Sequence, residues 1–240
     1  MNIISEQQFA AHKKSDTIVI LGSGWSINKI SNKQWELLSK YDSIAFNWFC
    51  FHSFEPTFYL IREQANIRFR RSESETPEIF TGLLKKYHNT YCVILNVARH
   101  TKKCHDYSKD ENILLPSVIL EDNIDHKYRK RLKKIIAKNP FNVGLFHGVT
   151  TLTSVLHLIT YLGYKRIIFA GIDLYDSRYF WLRNNKTRHT VKRKGLEFDH
   201  KHSVAAKVLK LVRNYAQFNK ELYCINKKSL LCNVIGHLDI

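Results

Sequence analysis

The chain has 240 residues, 44% of them hydrophobic and 25% charged, which is enough to bury a large core and excludes an intrinsically disordered protein. The same length disfavours two independent full domains. Lys and Arg number 38 against 21 Asp and Glu, and the net charge of +17 favours an anionic partner: nucleic acid, an anionic membrane, or a phosphorylated acceptor with an anionic donor.

The first predicted elements form a β-loop-α unit. Residues 17–21 (TIVIL) are a continuous apolar run, typical of a strand buried on both faces of a parallel sheet. A glycine-rich turn over residues 22–26 (GSGWS) follows, and Ser31 is placed to cap a helix after it. Such a turn offers close backbone approach and N–H groups to an anion, although a purely structural turn has the same sequence. The candidate ligand-binding residues here are Gly22, Ser23, Gly24 and Ser26.

Strands and helices continue to alternate along the chain. Further strands are predicted over residues 43–47, 57–61, 91–96, 166–170 and 222–225, and helices from Pro77 to about His88, over 150–161 with Gly163 as its cap, and over 204–218. We predict an α/β fold: a single Rossmann-like domain over residues 1–240, with a mostly parallel sheet flanked by helices and a small mobile lid.

Two segments interrupt this pattern. Residues 98–142 are predicted as an insertion that carries a basic helix over 128–138, and residues 176–202 are polar and basic, as expected of the lid. Both basic stretches are also compatible with ordinary solvated surfaces.

Ligands of parallel sheets bind beyond the carboxyl ends of the strands, so residues that follow strands are further candidates. Asn47 follows the second strand and can offer a donor and an acceptor to a ribose or a base edge, or can simply form a turn. Thr150 and Thr151 open a helix, where N–H groups and the helix dipole favour a carboxylate or phosphate. Ordinary N-caps would have the same sequence.

The most informative segment is residues 162–175, LGYKRIIFAGIDLY. Tyr179 follows it, and after the basic segment comes His202 with Ser203 behind it. Together with the GxGxS turn, Asn47, and a closing strand at 222–225 followed by Ser-Leu-Leu, these patches resemble, in order, the bacterial CMP-sialic acid transferases of glycosyltransferase family 42. They cover about half of the chain, and none is specific alone.

The resemblance implies a glycosyltransferase that moves sialic acid or a related 2-keto sugar acid from a CMP-activated donor to a glycan, namely lipopolysaccharide or lipooligosaccharide, with inversion. It implies that Tyr175 and Tyr179 hydrogen-bond the departing phosphate and that His202 is the general base, with His189 and His200 as competitors. The donor would be held by Ser23, Asn47, Thr150 and Thr151.

No metal or other cofactor is expected. The chain has no Asp-x-Asp pair of the kind that metal-dependent sugar transferases use, and Asp173 is expected to brace the turn after its strand while bordering the donor. His200 and His202 have the spacing of a metal pair, but no further ligands accompany them in sequence. Arg62 stands where the family presents an Asn, and it can pair with a donor carboxylate.

Several alternatives remain open from sequence. The donor can equally be CMP-Kdo on the lipopolysaccharide core, and a motility-associated family with archaeal pterin pyrophosphokinase relatives has a similar pattern. A nucleic-acid-binding protein fits the charge, but no RNA-recognition motif accompanies it. A catalytically dead sugar-nucleotide-binding partner would share every binding residue. Self-association into a homo-oligomer is also left open.

The predicted location is the cytoplasm, with peripheral contact to the anionic inner face of the inner membrane. The first residues contain no apolar signal region, and no run approaches the roughly 18 apolar residues of a spanning helix. The five cysteines lack a Cys-x-x-Cys pair or a paired framework, which indicates a reducing compartment and idle thiols.

Overall fold

The computed structural model describes residues 2–62, 81–96, 111, 113–123, 136–146, 150–175, 179–181, 204–218 and 220–240. Its strands are, in chain order, β1 (Asn2–Ile3), β2 (Thr17–Leu21), β3 (Asp42–Phe46), β4 (Phe58–Ile61), β5 (Tyr91–Asn96), β6 (Pro116–Asn123), β7 (Leu145–Phe146), β8 (Arg166–Ala170), β9 (Glu221–Cys224) and β10 (Gly236–His237). Its α-helices are α1 (Glu6–Ala10), α2 (Asn32–Leu38), α3 (Pro140–Val143), α4 (Thr151–Tyr161) and α5 (Val204–Ala216). Short 3₁₀ helices lie at Trp25–Lys29, Asn47–Phe51 and Leu230–Asn233.

The chain forms two compact units, each built from separate stretches of sequence. The first unit comprises residues 1–14 and 44–163, and the second comprises residues 15–43 and 164–240. In the first, the strand order is β1–β6–β5–β4–β3, with β7 paired to β6; in the second it is β2–β8–β9–β10. All of these pairs are parallel, and helices connect the strands, so the predicted α/β class with a mostly parallel sheet is confirmed.

The core of the second unit follows directly from its apolar runs. All five residues of β2 are buried, and they pair in register with β8 from Thr17 opposite Arg166 to Leu21 opposite Ala170. Ser31 caps α2 as predicted, because its hydroxyl accepts from Gln34 N while the Gln34 side chain accepts from Ser31 N. The strands β2 and β8 have the predicted bounds, and β9 begins one residue before the predicted one.

The first unit contains elements that the sequence did not predict, among them β1, α1 and β6. The strands β1 and β6 pair with each other, and α1 buries Phe9 with its ring centroid 4.9 Å from that of Phe58 on β4. The strand β6 lies inside the segment predicted as an insertion, yet it pairs with β5 over five residues, from Cys92 opposite Ser117 to Asn96 opposite Glu121. The apolar run of β6 is short and lies between Pro116 and acidic residues. The pattern of apolar residues therefore did not predict this strand.

Other predicted boundaries differ in small ways. Asn47 begins a 3₁₀ helix instead of ending β3, since its backbone is left-handed at φ 54°. Gly163 follows α4 with φ +74°, as predicted for its cap. Residues 81–84 are helical, whereas Pro77, most of the basic helix predicted over 128–138 and most of the 176–202 lid lie outside the described residues. Within the described part of the chain, no helix has both the length and the apolar character needed to cross a membrane.

His157 supplies a buried polar link in the first unit. It lies on α4 with no exposed surface, its Nδ1 accepts from Phe146 N at 3.1 Å, and its Nε2 lies 3.0 Å from Lys138 O. The ring is therefore neutral with its proton on Nε2. Burial lowers the pKa of His157 below its ordinary 6.5.

We expect this histidine to make the protein acid-sensitive. Its folded pKa is depressed, so its stabilising contribution is fully present above pH 6.5 and is lost as the pH falls from 6.5 towards the folded pKa. His157→Asn keeps an acceptor for Phe146 N without the titration. Urea unfolding at about pH 7.5 and about pH 5.5 should show a drop in unfolding free energy that is smaller in the variant by about 1 kcal/mol. Equal drops in both proteins would contradict the assignment.

Candidate functional site

The glycine-rich turn packs against the loop that follows β8. Gly22 N donates to Ala170 O and Gly24 N donates to Gly171 O, each at 2.8 Å. A Cβ on Gly22 would lie 2.4 Å from Gly171 O, and one on Gly24 would lie 2.6 Å from an Asp173 carboxylate oxygen. These two N–H groups are therefore not free to bind an anion, and both glycines are required for close approach.

Asp173 joins three loops at the carboxyl ends of β2, β8 and β9. The side chain is 3% exposed; Oδ2 accepts from Ser26 N and Oδ1 accepts from Asn226 Nδ2, both at 2.9 Å. Its backbone carbonyl accepts from Leu230 N at 3.3 Å. The expectation that Asp173 braces the turn after its strand therefore agrees with these contacts. Asn226 was not a candidate from sequence, although its position just beyond a strand end is the signal that could have found it.

Leu174 adds strain at this point. Its φ of 62° is left-handed, a conformation that costs a non-glycine residue about 1–3 kcal/mol and that clusters at binding and catalytic sites. Leu174 lies between Asp173 and Tyr175, so the surrounding contacts fix the direction in which both side chains leave the backbone.

The two predicted phosphate-contacting tyrosines make different contacts. The Tyr175 hydroxyl lies 3.5 Å from Asn226 Nδ2. Tyr179 forms an antiparallel bridge with Gly24, and its ring stacks on Trp181 with centroids 4.2 Å apart. His202, His189 and His200 lie outside the described residues.

The segment that carries Tyr179 is held on the glycine turn by further contacts. Phe180 N donates to Ser23 O at 3.3 Å, and Asn28 Nδ2 donates to Phe180 O at 3.0 Å. Tyr179, which belongs to the lid segment predicted over 176–202, therefore lies against the glycine turn, whereas Tyr175, just before that segment, contacts Asn226.

Two serine hydroxyls of the turn lack a partner among the described residues. Ser23 is 7% exposed and Ser26 is 4% exposed, and each Oγ is buried without a hydrogen bond. Buried hydroxyls almost always find a partner in the protein, so orphaned ones mark places where a ligand or water completes the bonding.

The free energy of unfolding should distinguish a serine whose hydroxyl has a partner from one whose hydroxyl has none. Ser229 is also buried, but its hydroxyl donates to Ile172 O at 2.7 Å and accepts from Leu231 N at 3.2 Å. We expect Ser229→Ala to lower the free energy of unfolding by about 2 kcal/mol, and Ser23→Ala to leave it unchanged or to raise it by up to about 1 kcal/mol. Urea unfolding checks both; an equal loss in the two variants would show that Ser23 has a structural partner.

A cavity of about 300 Å³ adjoins this turn in the second unit. Its walls come from the 3₁₀ helix after the turn, the start of α2, the loop after β9 and the residues around β10. The lining side chains include Ser26, Lys29, Gln34, Asn226, Lys227, Lys228, His237 and Asp239. Three lysines against one aspartate make it a cationic site. Sequence reasoning did not single out these lysines, since scattered surface lysines carry no motif.

The remaining predicted residues belong to the first unit. Asn47 and Arg62 directly follow β3 and β4, which pair in parallel, so both lie at the carboxyl edge of that unit's sheet. The Asn47 carbonyl accepts from the hydroxyl of Tyr59, a fully buried residue. Thr150 occupies the N-cap position of α4, but its hydroxyl makes no capping bond and is buried without a partner among the described residues. Thr151, 9% exposed, begins the helix.

Thr150 thus departs from an ordinary N-cap, whose hydroxyl would accept from an N–H of the first helical turn. Its free oxygen and the helix start are compatible with a bound anion in the first unit.

Three of the described thiols belong to the core. Cys50, Cys92 and Cys224 are buried, and burial raises the pKa of each; that of Cys50 and that of Cys224 rise to about 12. These three thiols are therefore poor nucleophiles at neutral pH. Likewise, the described residues contain no cluster of three or more His, Cys, Asp or Glu side chains that could hold a metal ion.

Comparison with known proteins gives distant structural likenesses. No family model matches the chain, and no curated protein matches it. The sialyltransferase CstII from Campylobacter jejuni in complex with cytidine-5'-monophosphate is 20% identical over 93% of this chain and 85% of its own, with a TM-score of 0.48. The monofunctional alpha-2,3-sialyltransferase Cst-I from the same organism is 18% identical over 99% of this chain and 82% of its own, also with a TM-score of 0.48. At these identities and scores, function has to be argued from the residues of the site itself.

Proposed function

We propose that this chain is a glycosyltransferase that moves sialic acid or a related 2-keto sugar acid from a CMP-activated donor to a glycan acceptor. The observation that carries the proposal is a buried, unpartnered serine hydroxyl on the glycine turn, with two tyrosines close to it. The Ser23 hydroxyl has no partner among the described residues, Tyr179 bridges Gly24, and the Tyr175 hydroxyl contacts Asn226, whose side chain is bonded to Asp173. This is the kind of donor set that a phosphate and a nucleotide require.

The proposed reaction needs stabilisation of a leaving phosphate. The acceptor oxygen forms a bond to the anomeric carbon while the bond from that carbon to the CMP phosphate oxygen breaks, and the electron pair stays on the phosphate. Tyr175 and Tyr179 donate hydrogen bonds to the charge that develops there, which removes the need for a divalent metal. His202 takes the proton of the acceptor hydroxyl, and attack from the face opposite the phosphate inverts the anomeric centre.

The other donor-binding roles are proposed residue by residue within each unit. In the second unit, Ser23 meets the donor over the turn, and Asp173 holds that turn in place through Ser26 N. In the first unit, Asn47 offers its amide to the ribose or the base, and the Arg62 guanidinium suits the sugar carboxylate. Thr150 and Thr151 supply hydroxyl and N–H groups at the start of α4.

The direct test is turnover with two donors. The protein is incubated with CMP-sialic acid or CMP-Kdo and a glycan acceptor in the presence of EDTA, and CMP release is followed. Turnover of one donor supports the proposal and identifies the sugar. Absence of both turnover and binding for the two donors would overturn it, whereas binding without turnover would favour the catalytically dead partner. His202→Ala should abolish transfer and leave CMP binding intact.

Tyr175→Phe removes one phenol and keeps the ring. We expect kcat to fall about ten- to a hundredfold, as for the loss of one hydrogen bond to a developing charge, with little change in the free energy of unfolding. Tyr41→Phe is the matched control, because Tyr41 is 36% exposed and precedes β3, at the opposite end of a strand from the ligand-facing edge. Equal kcat values for Tyr175→Phe and Tyr41→Phe would show that the Tyr175 hydroxyl does not take part in the reaction.

A further inference from the structure

The cationic cavity beside the glycine turn has no role in the chemistry proposed above. Its volume of about 300 Å³ lies at the lower end of small-molecule sites. Lys29 comes from the 3₁₀ helix that follows the turn, and Lys227 and Lys228 come from the loop after β9. The cavity therefore lies within the second unit, and part of its wall is formed by loops that the Asp173 side chain joins.

Most of the positive charge in this cavity is uncompensated. Lys227 is paired with Asp239, with 3.0 Å between Nζ and Oδ1, and His237 Nδ1 lies 3.5 Å from the same carboxylate oxygen. Among the residues that the structure describes, Lys29 and Lys228 have no carboxylate within ion-pair distance. Two ammonium groups thus remain for a ligand.

Ser26, whose buried hydroxyl has no partner among the described residues, is one of the residues that line this cavity. Ser26 is 4% exposed, its N–H is taken by Asp173, and its Oγ has no partner in the described part of the chain. The neighbouring Asn226 side chain is fully used, because Nδ2 donates to Asp173 and Oδ1 accepts from Lys228 N. The wall is therefore ordered by its own bonds, and the Ser26 hydroxyl is the polar group left over.

We propose that this cavity binds a phosphate-class dianion through Lys29, Lys228 and the Ser26 hydroxyl. Two ammonium groups match the charge of a phosphate monoester, which is about −1.5 to −2 at neutral pH, and lysine binds phosphate as a point charge. A carboxylate carries half that charge and is better matched by the planar fork of arginine. The cavity takes a phosphate other than the donor's leaving group, which is assigned to the two tyrosines.

The source of this phosphate is either a phosphorylated sugar or free inorganic phosphate. In a CMP-sugar transferase the natural source is a phosphate on the acceptor glycan, and this part of the inference rests on the proposed function. The anion site itself does not, since Lys29, Lys228 and the Ser26 hydroxyl are not the groups assigned to the leaving phosphate or to the acceptor proton.

Calorimetric titration of the full chain tests the site. The probes are inorganic phosphate, a hexose monophosphate and the unphosphorylated hexose. We expect the two phosphates to bind and the hexose not to bind. The double variant Lys29→Gln and Lys228→Gln should weaken phosphate binding about tenfold or more, and Ser26→Ala should weaken it about threefold. The control is the double variant Lys33→Gln and Lys40→Gln, which makes the same charge change at exposed positions outside the lining and should bind normally.

The outcomes separate this site from the donor site. Phosphate affinity that is equal in the wild type and the Lys29/Lys228 variant, or phosphate that is displaced by CMP regardless of those lysines, would overturn the proposal. Binding of inorganic phosphate but not of the hexose monophosphate supports the anion site and overturns its use for an acceptor. CMP binding is measured on the same proteins: a chain that binds no CMP loses the proposed function, while lysine-dependent phosphate binding would still stand.

Discussion

Asp173→Asn is expected to lower the free energy of unfolding by about 3 kcal/mol, because it breaks a buried, fully bonded carboxylate. The carboxylate accepts from Ser26 N with one oxygen and from Asn226 Nδ2 with the other. An amide at position 173 retains one acceptor and places an NH₂ group against another donor. Rotating the Asn226 amide would present its oxygen to the new NH₂ group at position 173. The same rotation would turn the Asn226 NH₂ group towards Lys228 N, which is also a donor. Urea unfolding measures the loss.

A reciprocal exchange should recover most of this stability. In the double variant Asp173→Asn with Asn226→Asp, the new amide accepts from Ser26 N and donates to the new carboxylate, which still accepts from Lys228 N. All three hydrogen bonds are thereby restored. We expect each single variant to be destabilised and the double-mutant cycle to give a coupling of about 2–3 kcal/mol. Additive losses would mean that the two side chains do not act as a pair, and CMP release measured on the four proteins should follow the same order.

Gly22→Ala is the second large effect we expect, with a loss of about 3 kcal/mol of unfolding free energy or more. The added Cβ would lie 2.4 Å from Gly171 O and 2.8 Å from Ile172 Cγ1, and the first of these is backbone that cannot move aside. The turn after β2 would have to separate from the loop after β8, so ligand binding should be lost as well.

Gly82→Ala is the matched control for this substitution. Gly82 lies in the helical stretch over residues 81–84, and a Cβ there meets nothing within 4 Å. Alanine is the better helix former, so we expect this variant to be unchanged or more stable by about 0.5–1 kcal/mol. Comparable losses at positions 22 and 82 would contradict the steric argument.

The strands that are buried on both faces were predictable because burial forces a continuous apolar run. The bounds of β2, β5 and β8 agree with the prediction residue for residue. The strands β1 and β6 were missed for the opposite reason. The former is two residues long, and the latter contains Ile119, which is 40% exposed, so neither shows the pattern of a buried strand.

The sequence alone identified residues of the candidate site only where the local backbone structure requires a particular residue type. Gly22 and Gly24 stand out in sequence because a turn needs them, and Asp173 follows a recognisable strand. Asn226 does not stand out, since its importance comes from its partner Asp173, which is 53 residues away in the chain. Side-chain pairs of this kind are set by the packing of loops and leave no local signal.

The glycine turn also limits how the specificity of this protein can change. Positions 22 and 24 are closed to any side chain, since the space of a Cβ is already occupied by Gly171 and Asp173. Substitutions in this segment, whether natural or engineered, are therefore tolerated at positions 23 and 26, whose side chains make no hydrogen bond within the described chain. A library randomised at Ser23 and Ser26 should retain folded members with altered ligand preference, whereas one randomised at the glycines should yield mostly unfolded protein.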